Sequence, residues 1–336
     1  MKRVVLAILT MTVLWGGQAH AQSKVGTTIG QFLRIEPSGR HAALGNAGVG
    51  LAGGIETAYY NTGVIGLPTS AEVQFTHSFW FADISYDYAA ALLPVGGGSN
   101  VFVSITALNS GDIDVRTVDH PLGTGERYNV GDVALGLGYG RRITSRFSAG
   151  IQTNFVSERI WHTTSQMLTF NAGTHYRLSS GGASIGFCLS NLGTQGQYTG
   201  RDLAIQYDED PDVHGDNSSL PGEQSTDRFP VPILFRLGVA LPYVLDDDNS
   251  FLVVVDALHP NDNSESANLG VEWCWHDLFS LRLGYQTLFQ ENSQQGLTAG
   301  FGLGGDLGAN TYQFDYAWAS HAYLEGTHRL TFVIEF

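Results

Sequence analysis

Charge is scarce in this 336-residue chain. Asp, Glu, Lys and Arg make up 15% of it, against about 25% in ordinary soluble domains, so much of its surface has to be uncharged. Only 17 basic residues stand against 32 acidic ones, a formal net charge of −15. Nucleic acid is thereby excluded as a partner, because binding phosphates needs a basic face. Cysteine occurs twice, at Cys188 and Cys274. Two residues make no disulfide framework; both fall in strand-like segments that are not sequence neighbours, so they are expected to be unpaired. The 11 histidines form no His-x-x-x-His pair and no Cys-x-x-Cys occurs, which leaves a zinc site without support. No metal, cofactor or catalytic centre is expected. Long apolar runs are missing as well. Beyond the first 21 residues nothing approaches the roughly eighteen apolar residues of a membrane helix, so any span has to be a β-barrel.

The first residues have their own pattern. Lys2 and Arg3 precede the apolar run Val4 to Trp15, and Ala19-His20-Ala21 supplies a small-x-small cleavage site. Residues 1–21 are therefore expected to be a Sec signal peptide. No Cys follows, so a lipoprotein anchor is not expected.

What the chain does have is alternation. FSAGIQTNF (147–155) sets Phe147, Ala149, Ile151 and Phe155 against Ser148, Gly150, Gln152 and Asn154. LGVEWCW (269–275) sets Leu269, Val271, Trp273 and Trp275 against Gly270, Glu272 and Cys274. A period of two is the mark of a strand with one apolar face. A soluble sandwich would carry Lys, Glu and Thr on the other face. Here that face is mainly Gly, Ser, Asn, Gln and Thr, which suits a confined lumen, while the large aliphatic and aromatic face suits lipid.

About fourteen such segments follow residue 70, near 71–80, 83–93, 99–108, 131–142, 146–160, 164–177, 182–190, 230–244, 249–258, 267–276, 279–289, 295–304, 309–319 and 324–336. The expected fold is all-β: a 14-stranded antiparallel transmembrane β-barrel over 71–336 in the outer membrane, with lipid around it. Short connections such as ITSR (143–146) and HD (276–277) alternate with longer ones at 109–130 and 191–229, which predicts short periplasmic turns, longer outer loops and both chain ends periplasmic. HRLTFVIEF (328–336) is expected to close the barrel with Leu330, Phe332, Ile334 and Phe336. Residues 22–70 do not alternate and are rich in small residues. They are expected to form an N-terminal plug, with the lumen glycines leaving room for it.

These residues resemble a known family. RHAALGNAGVGLAGGIETAYYNTGVIGL (40–67), LSNLG (189–193), FPVPILFRLGVAL (229–241), TAGFGLG (298–304) and FDYAW followed by THRLTFVIEF (314–318, 327–336) resemble, in order and spacing, the PorV/PorQ family, related to the FadL-like barrels. The turn at 61–67 departs from that family's pattern, lacking its Pro and Ala. The resemblance implies a plugged 14-stranded outer-membrane barrel, with Arg40, Asn61 and Gly63 on the plug. It implies a role in protein secretion, handling or anchoring exported cargo of the type IX system, with secreted proteins or secretion subunits as partners. The broader FadL relation implies passage of hydrophobic small molecules instead. Phe336 also resembles the C-terminal signal read by the outer-membrane assembly machinery.

Two further groups of residues stand out. Arg177, Arg236, Glu272, Arg282, Asp315 and Glu335 have lumen parity and are expected to pair with one another or with the plug charges Arg34, Glu36, Arg40 and Glu56, since unpaired charges inside a filled barrel are costly. Asp208, Glu209, Asp210, Asp212 and Asp216 form an acidic outer loop suited to solvent, Ca²⁺ or a basic protein. Two literal G-x-G-x-x-G matches, at 48–53 and 300–305, lack the strand–helix context of a dinucleotide site. The 191–229 stretch has few large apolar residues, which favours a polar, protein-binding outer surface and hence the secretion reading.

Overall fold

Fourteen alternating segments become fourteen strands in a computed structural model of the protein, which describes residues 25–178, 181–208, 210, 212, 219–290 and 293–336. The expected signal peptide lies outside the described residues. The strands are β1 (Glu72–Phe79), β2 (Ser85–Gly96), β3 (Ser99–Asn109), β4 (Val130–Arg142) and β5 (Phe147–Ile160). They continue with β6 (Thr163–Arg177), β7 (Ser184–Gly193), β8 (Leu234–Val244), β9 (Asn249–Pro260) and β10 (Ser266–Trp275). The last are β11 (Phe279–Leu288), β12 (Gln295–Leu307), β13 (Asn310–His321) and β14 (Thr327–Glu335). Each is antiparallel to its predecessor. β14 pairs with β1 from Glu335 opposite Glu72 to His328 opposite Phe79, so the barrel is closed and no edge is left unpaired.

Alternation decides which side each residue sees. On β5, Ser148, Gln152, Asn154 and Glu158 are buried in the lumen, whereas Ile151 and Phe155 are exposed on the exterior. Leu135 and Leu137 on β4, Phe170 on β6, Leu281 and Leu283 on β11 and Phe332 on β14 continue that apolar exterior. Such a belt is stable against hydrocarbon and not against water. Tyr139, Tyr176, Tyr243 and Trp275 are exposed near one end of it, where amphipathic rings meet the headgroup layer.

The two ends differ. One, the turn end, joins strands through the short connections at 97–98, 143–146, 178–183, 245–248, 276–278 and 308–309. The other, the loop end, carries the long connections, with small hairpins pairing Ile113–Asp114 with Arg127–Tyr128 and Ala204–Tyr207 with Leu220–Glu223.

Residues 29–67 lie inside the barrel. Leu44, Ala47, Val49, Ile55, Ala58, Tyr60, Val64 and Ile65 are almost wholly buried. Two short helices, α1 (Gly39–Ala43) and α2 (Ile55–Ala58), interrupt an otherwise irregular path. Lumen glycines let that path touch the wall: a Cβ at Gly140 would stand 2.6 Å from Gly66 N, and one at Gly63 would stand 2.6 Å from Thr174 Cα.

The two ends of the described chain lie at opposite ends of the barrel; the N-terminus expected on the periplasmic side falls before residue 25, outside the described residues. Phe336 is at the turn end, its amide bonded to Ala71 O at 2.9 Å. The first described residues are at the loop end, where Ile29 N bonds to Pro230 O at 3.0 Å. Strand parity fixes only the barrel's own ends; the lumenal segment runs the barrel's length before β1 and reverses the side.

Candidate functional site: the lumen and its loop-end mouth

The lumenal segment is held by a chain of charges. Arg40 on α1 donates from Nη2 to Glu272 Oε1 at 2.7 Å and from Nε to Oε2 at 3.0 Å. Glu272 faces Arg282 across the β10–β11 register and is ion-paired with it. Arg282 in turn pairs with Asp315 on β13. Gln313 Nε2 bridges from Asp315 Oδ2 at 2.6 Å to Glu56 Oε2 on α2 at 3.2 Å, and Ser38 Oγ donates to Glu56 Oε1 at 2.6 Å. Arg40, Glu272, Arg282 and Asp315 balance one another, which is the condition for keeping ions away from bulk water, while Glu56 is held by the neutral donors Ser38 and Gln313.

A second row lies toward the loop end. Arg236 on β8 pairs with Glu36 at 3.4 Å and lies over the rings of Tyr59 and Tyr60 at 5.8 and 5.4 Å, a cation–π arrangement. Arg34 pairs with Asp262 at 2.9 Å. Four of the six expected lumen charges are therefore buried in these rows: Arg236, Glu272, Arg282 and Asp315. Arg177 and Glu335 are not. Both have inward parity but stand at the turn-end rim, exposed, because their strands finish there. Glu335 accepts a hydrogen bond from Ser70.

Several wall acids that the sequence did not single out hold backbone of the segment. Asp256 Oδ2 accepts from Gly48 N and Val49 N at 2.8 and 3.0 Å. Glu158 Oε1 accepts from Gly30 N at 2.9 Å, and Glu72 accepts from Ile55 N. Each sits at an inward position of its strand, the one signal that could have found it. Asn61 caps a short turn, accepting from Gly63 N at 2.8 Å and donating to Val49 O and Thr174 O at 2.9 and 3.0 Å. Arg40, Asn61 and Gly63 are thus all lumenal, Arg40 against Glu272 and both Asn61 and Gly63 against Thr174.

The mouth above this mixes aromatic, aliphatic and polar residues. A cavity of about 590 Å³ opens at the loop end, lined by Ile113, Val115, Tyr128, Ile160 and Trp161 together with Asp114, Arg116, Thr163 and Asp202. Tyr128 and Trp161 face each other at 5.8 Å. Trp161 stacks on His162 at 4.8 Å, and His162 is fixed by Asp202 at 2.9 Å and by Arg201. Below Ile160 on β5, the next lumen-facing residues are Glu158 and Val156. There Ile29, Phe32 and Leu33 pack with Val156, Met167 and Ala134 in an apolar cluster deeper in the lumen. At the opposite end a cavity of about 450 Å³ lies under the segment, bounded by Arg40, Glu272, Arg282, Gln313, Tyr243 and Ser184.

Exposed apolar residues at the loop end come from several connections, Ile205, Tyr207 and Phe229 of 191–229 among them. Val118 and Leu122 are 99% and 93% exposed, and Phe289 and Tyr323 are also bare. The polar composition of 191–229 is thus a poor guide to the mouth, because the apolar lining is supplied by 109–130 and the Trp161 turn. In the acidic loop, Asp210 N and Asp212 N bond to the preceding Asp208 and Asp210 carboxylates at 3.2 Å; Glu209 and Asp216 lie outside the described residues. Both cysteines are free, with Cys188 buried against Tyr60 and Val49.

No protein-family model matches the sequence, and no curated protein does. Solved structures do match in shape. A toluene transporter of Pseudomonas putida, TodX, aligns with a TM-score of 0.57 and 10% identity over 88% of this chain and 96% of that one. The monoaromatic hydrocarbon channel CymD aligns with a TM-score of 0.55 and 9% identity over 90% and 97%. A FadL homologue from Pseudomonas aeruginosa aligns with a TM-score of 0.52 and 11% identity over 88% and 96%. Likeness at that identity is a likeness of fold, and it extends over nearly the whole of each chain.

Proposed function

We propose that this protein is a non-enzymatic outer-membrane β-barrel that passes small hydrophobic molecules inward, with residues 29–67 as its plug and the loop end facing outside. The observation that carries this reading is the loop-end cavity at Tyr128 and Trp161, with the apolar Ile29–Phe32–Leu33 cluster deeper in the lumen, past Glu158. An apolar solute gains by leaving water for such a mouth, and a closed apolar constriction beneath it excludes ions and polar solutes. The charged rows beneath hold the plug in the barrel, and passage requires it to shift against them. Likeness to barrels described as a toluene transporter and a monoaromatic hydrocarbon channel supports this over the protein-secretion role implied by the PorV/PorQ resemblance. Binding is tested by titrating the detergent-solubilised protein with a small monoaromatic quencher and following tryptophan emission. Saturable quenching in the native chain, lost in Trp161→Phe, is expected. Quenching that is linear, or unchanged by the substitution, would overturn the reading.

A further inference from the structure

Three rungs of the wall stand in order at the loop end. Across β4, β5 and β6 the uppermost is Val130, Ile160 and Thr163, and the last two of these line the mouth. One inward step deeper come Asp132, Glu158 and Ser165. The next step brings Ala134, Val156 and Met167 of the apolar cluster. A solute moving inward along this wall therefore meets two carboxylates between the mouth and the apolar layer.

Glu36, Asp262, Glu272 and Asp315 each have an arginine, whereas neither Asp132 nor Glu158 enters an ion pair among the described residues. The two face each other across the β4–β5 register, where like charges repel. Glu158 has a structural use, accepting from Gly30 N at 2.9 Å and from Tyr198 Oη at 3.2 Å. Asp132 is half-buried and bonds only to backbone of its own wall, at Arg159. Ser165, opposite Glu158, is 1% exposed, and its hydroxyl finds no partner among the described residues. Hydrocarbon sliding past this rung strips water from a carboxylate and returns no hydrogen bond. A metal ion is poorly served, because the described residues bring together no three His, Cys, Asp or Glu side chains that could hold one, and a hard cation such as Ca²⁺ takes six or more oxygens. A hydroxyl fits the rung in both directions: it donates to the carboxylate and accepts from the unspent serine. A solute carboxylate would add a third like charge.

We propose that the solutes this barrel favours are phenols: small aromatic rings carrying a hydroxyl, which the rung of Asp132, Glu158 and Ser165 receives while the ring lies toward Ile160 and Trp161. The inference rests on the channel reading and names its substrate class. The test compares initial-rate uptake of radiolabelled toluene, 4-methylphenol and 4-methylbenzoate by intact Gram-negative cells expressing the full chain and lacking their own hydrophobic-solute channels. The three share one ring and one methyl group, and 4-methylphenol is uncharged at neutral pH, as tyrosine is. Above the empty-vector rate, 4-methylphenol should enter about ten-fold faster than toluene, since a site built to bond a hydroxyl discriminates against the analogue lacking it. 4-Methylbenzoate should stay at the empty-vector rate. Asp132→Ala/Ser165→Ala, which leaves Glu158 on Gly30, should bring the 4-methylphenol and toluene rates together, with heat-modifiable migration on SDS gels verifying that the variant barrel is closed. Equal rates for these two solutes in the native chain, an undiminished preference in the double variant, or entry of 4-methylbenzoate as fast as 4-methylphenol would each overturn this inference and leave the channel reading standing. Toluene and 4-methylphenol both at the empty-vector rate would overturn the channel reading and this inference with it.

Discussion

Gly63→Ala is the sharpest probe of how the lumenal segment is seated. A Cβ there would stand 2.6 Å from the N, Cα and C atoms of Thr174 on β6. None of these is the end of a flexible side chain, so plug and wall have to separate by about 0.8 Å to reach ordinary contact. That movement pulls on Asn61 Nδ2–Thr174 O at 3.0 Å, Asn61 Nδ2–Val49 O at 2.9 Å and Thr62 Oγ1–Gly150 O at 3.0 Å. Overpacking of this kind costs about 1–3 kcal/mol, and straining one or two buried hydrogen bonds adds about 1 kcal/mol each. Seating should therefore weaken by roughly 2–5 kcal/mol, a thirty-fold or larger rise in the unseated population. The assay is limited proteolysis of residues 29–67 in detergent, with barrel closure followed by heat-modifiable gel migration. Gly63→Ala should be cut much faster while the barrel remains closed. Gly131→Ala, whose added methyl meets nothing nearer than 3.9 Å, should behave as the native chain does. Equal cleavage of Gly63→Ala and native protein would refute the close backbone approach.

Glu272→Ala removes the acid shared by Arg40 and Arg282. Breaking a buried pair of this kind costs about 3–5 kcal/mol, and the exposure of Arg40 on one side puts the effect at the lower end. A fall in the temperature of the heat-modifiable transition is expected, and Glu272→Gln should lose less than Glu272→Ala. At the turn between β8 and β9, the Asn249 amide, with the backbone N–H groups of Asp248 and Asn249, holds the Asp246 carboxyl below the ordinary aspartate range. A carboxyl lowered by folding contributes stability above its unfolded value and loses it as pH falls through its folded value. Asn249→Ala should raise the Asp246 titration midpoint toward the ordinary range, measured by carboxyl-carbon NMR; no movement would contradict that assignment.

The barrel was legible because a period of two is a one-residue signal repeated at every position. Leu135 against Gly136, or Ile151 against Gln152, needs no partner to be read. The lumenal segment was legible only in outline, since residues 29–67 have no period and their contacts are set by a wall that comes later in the chain. Asp256 and Glu158 read as isolated inward acids until Gly48, Val49 and Gly30 are placed opposite them. The rule of apolar side chains outward also fails locally. On β2, Tyr86, Tyr88 and Leu92 point inward with Phe102 of β3, because the lumenal segment presents Ile55, Val64 and Ile65 to that wall. The mouth was misjudged for a related reason: loop composition was averaged over 191–229, whereas the apolar lining comes from single residues of several loops.

Passage itself is tested most directly by initial-rate uptake of a radiolabelled monoaromatic hydrocarbon into intact Gram-negative cells lacking their own hydrophobic-solute channels. Expression of this chain should raise the rate several-fold over empty vector, and Tyr128→Ala/Trp161→Ala should return it most of the way at equal barrel abundance. An uptake rate equal to empty vector, with the barrel present and heat-modifiable in the outer membrane, would contradict the account.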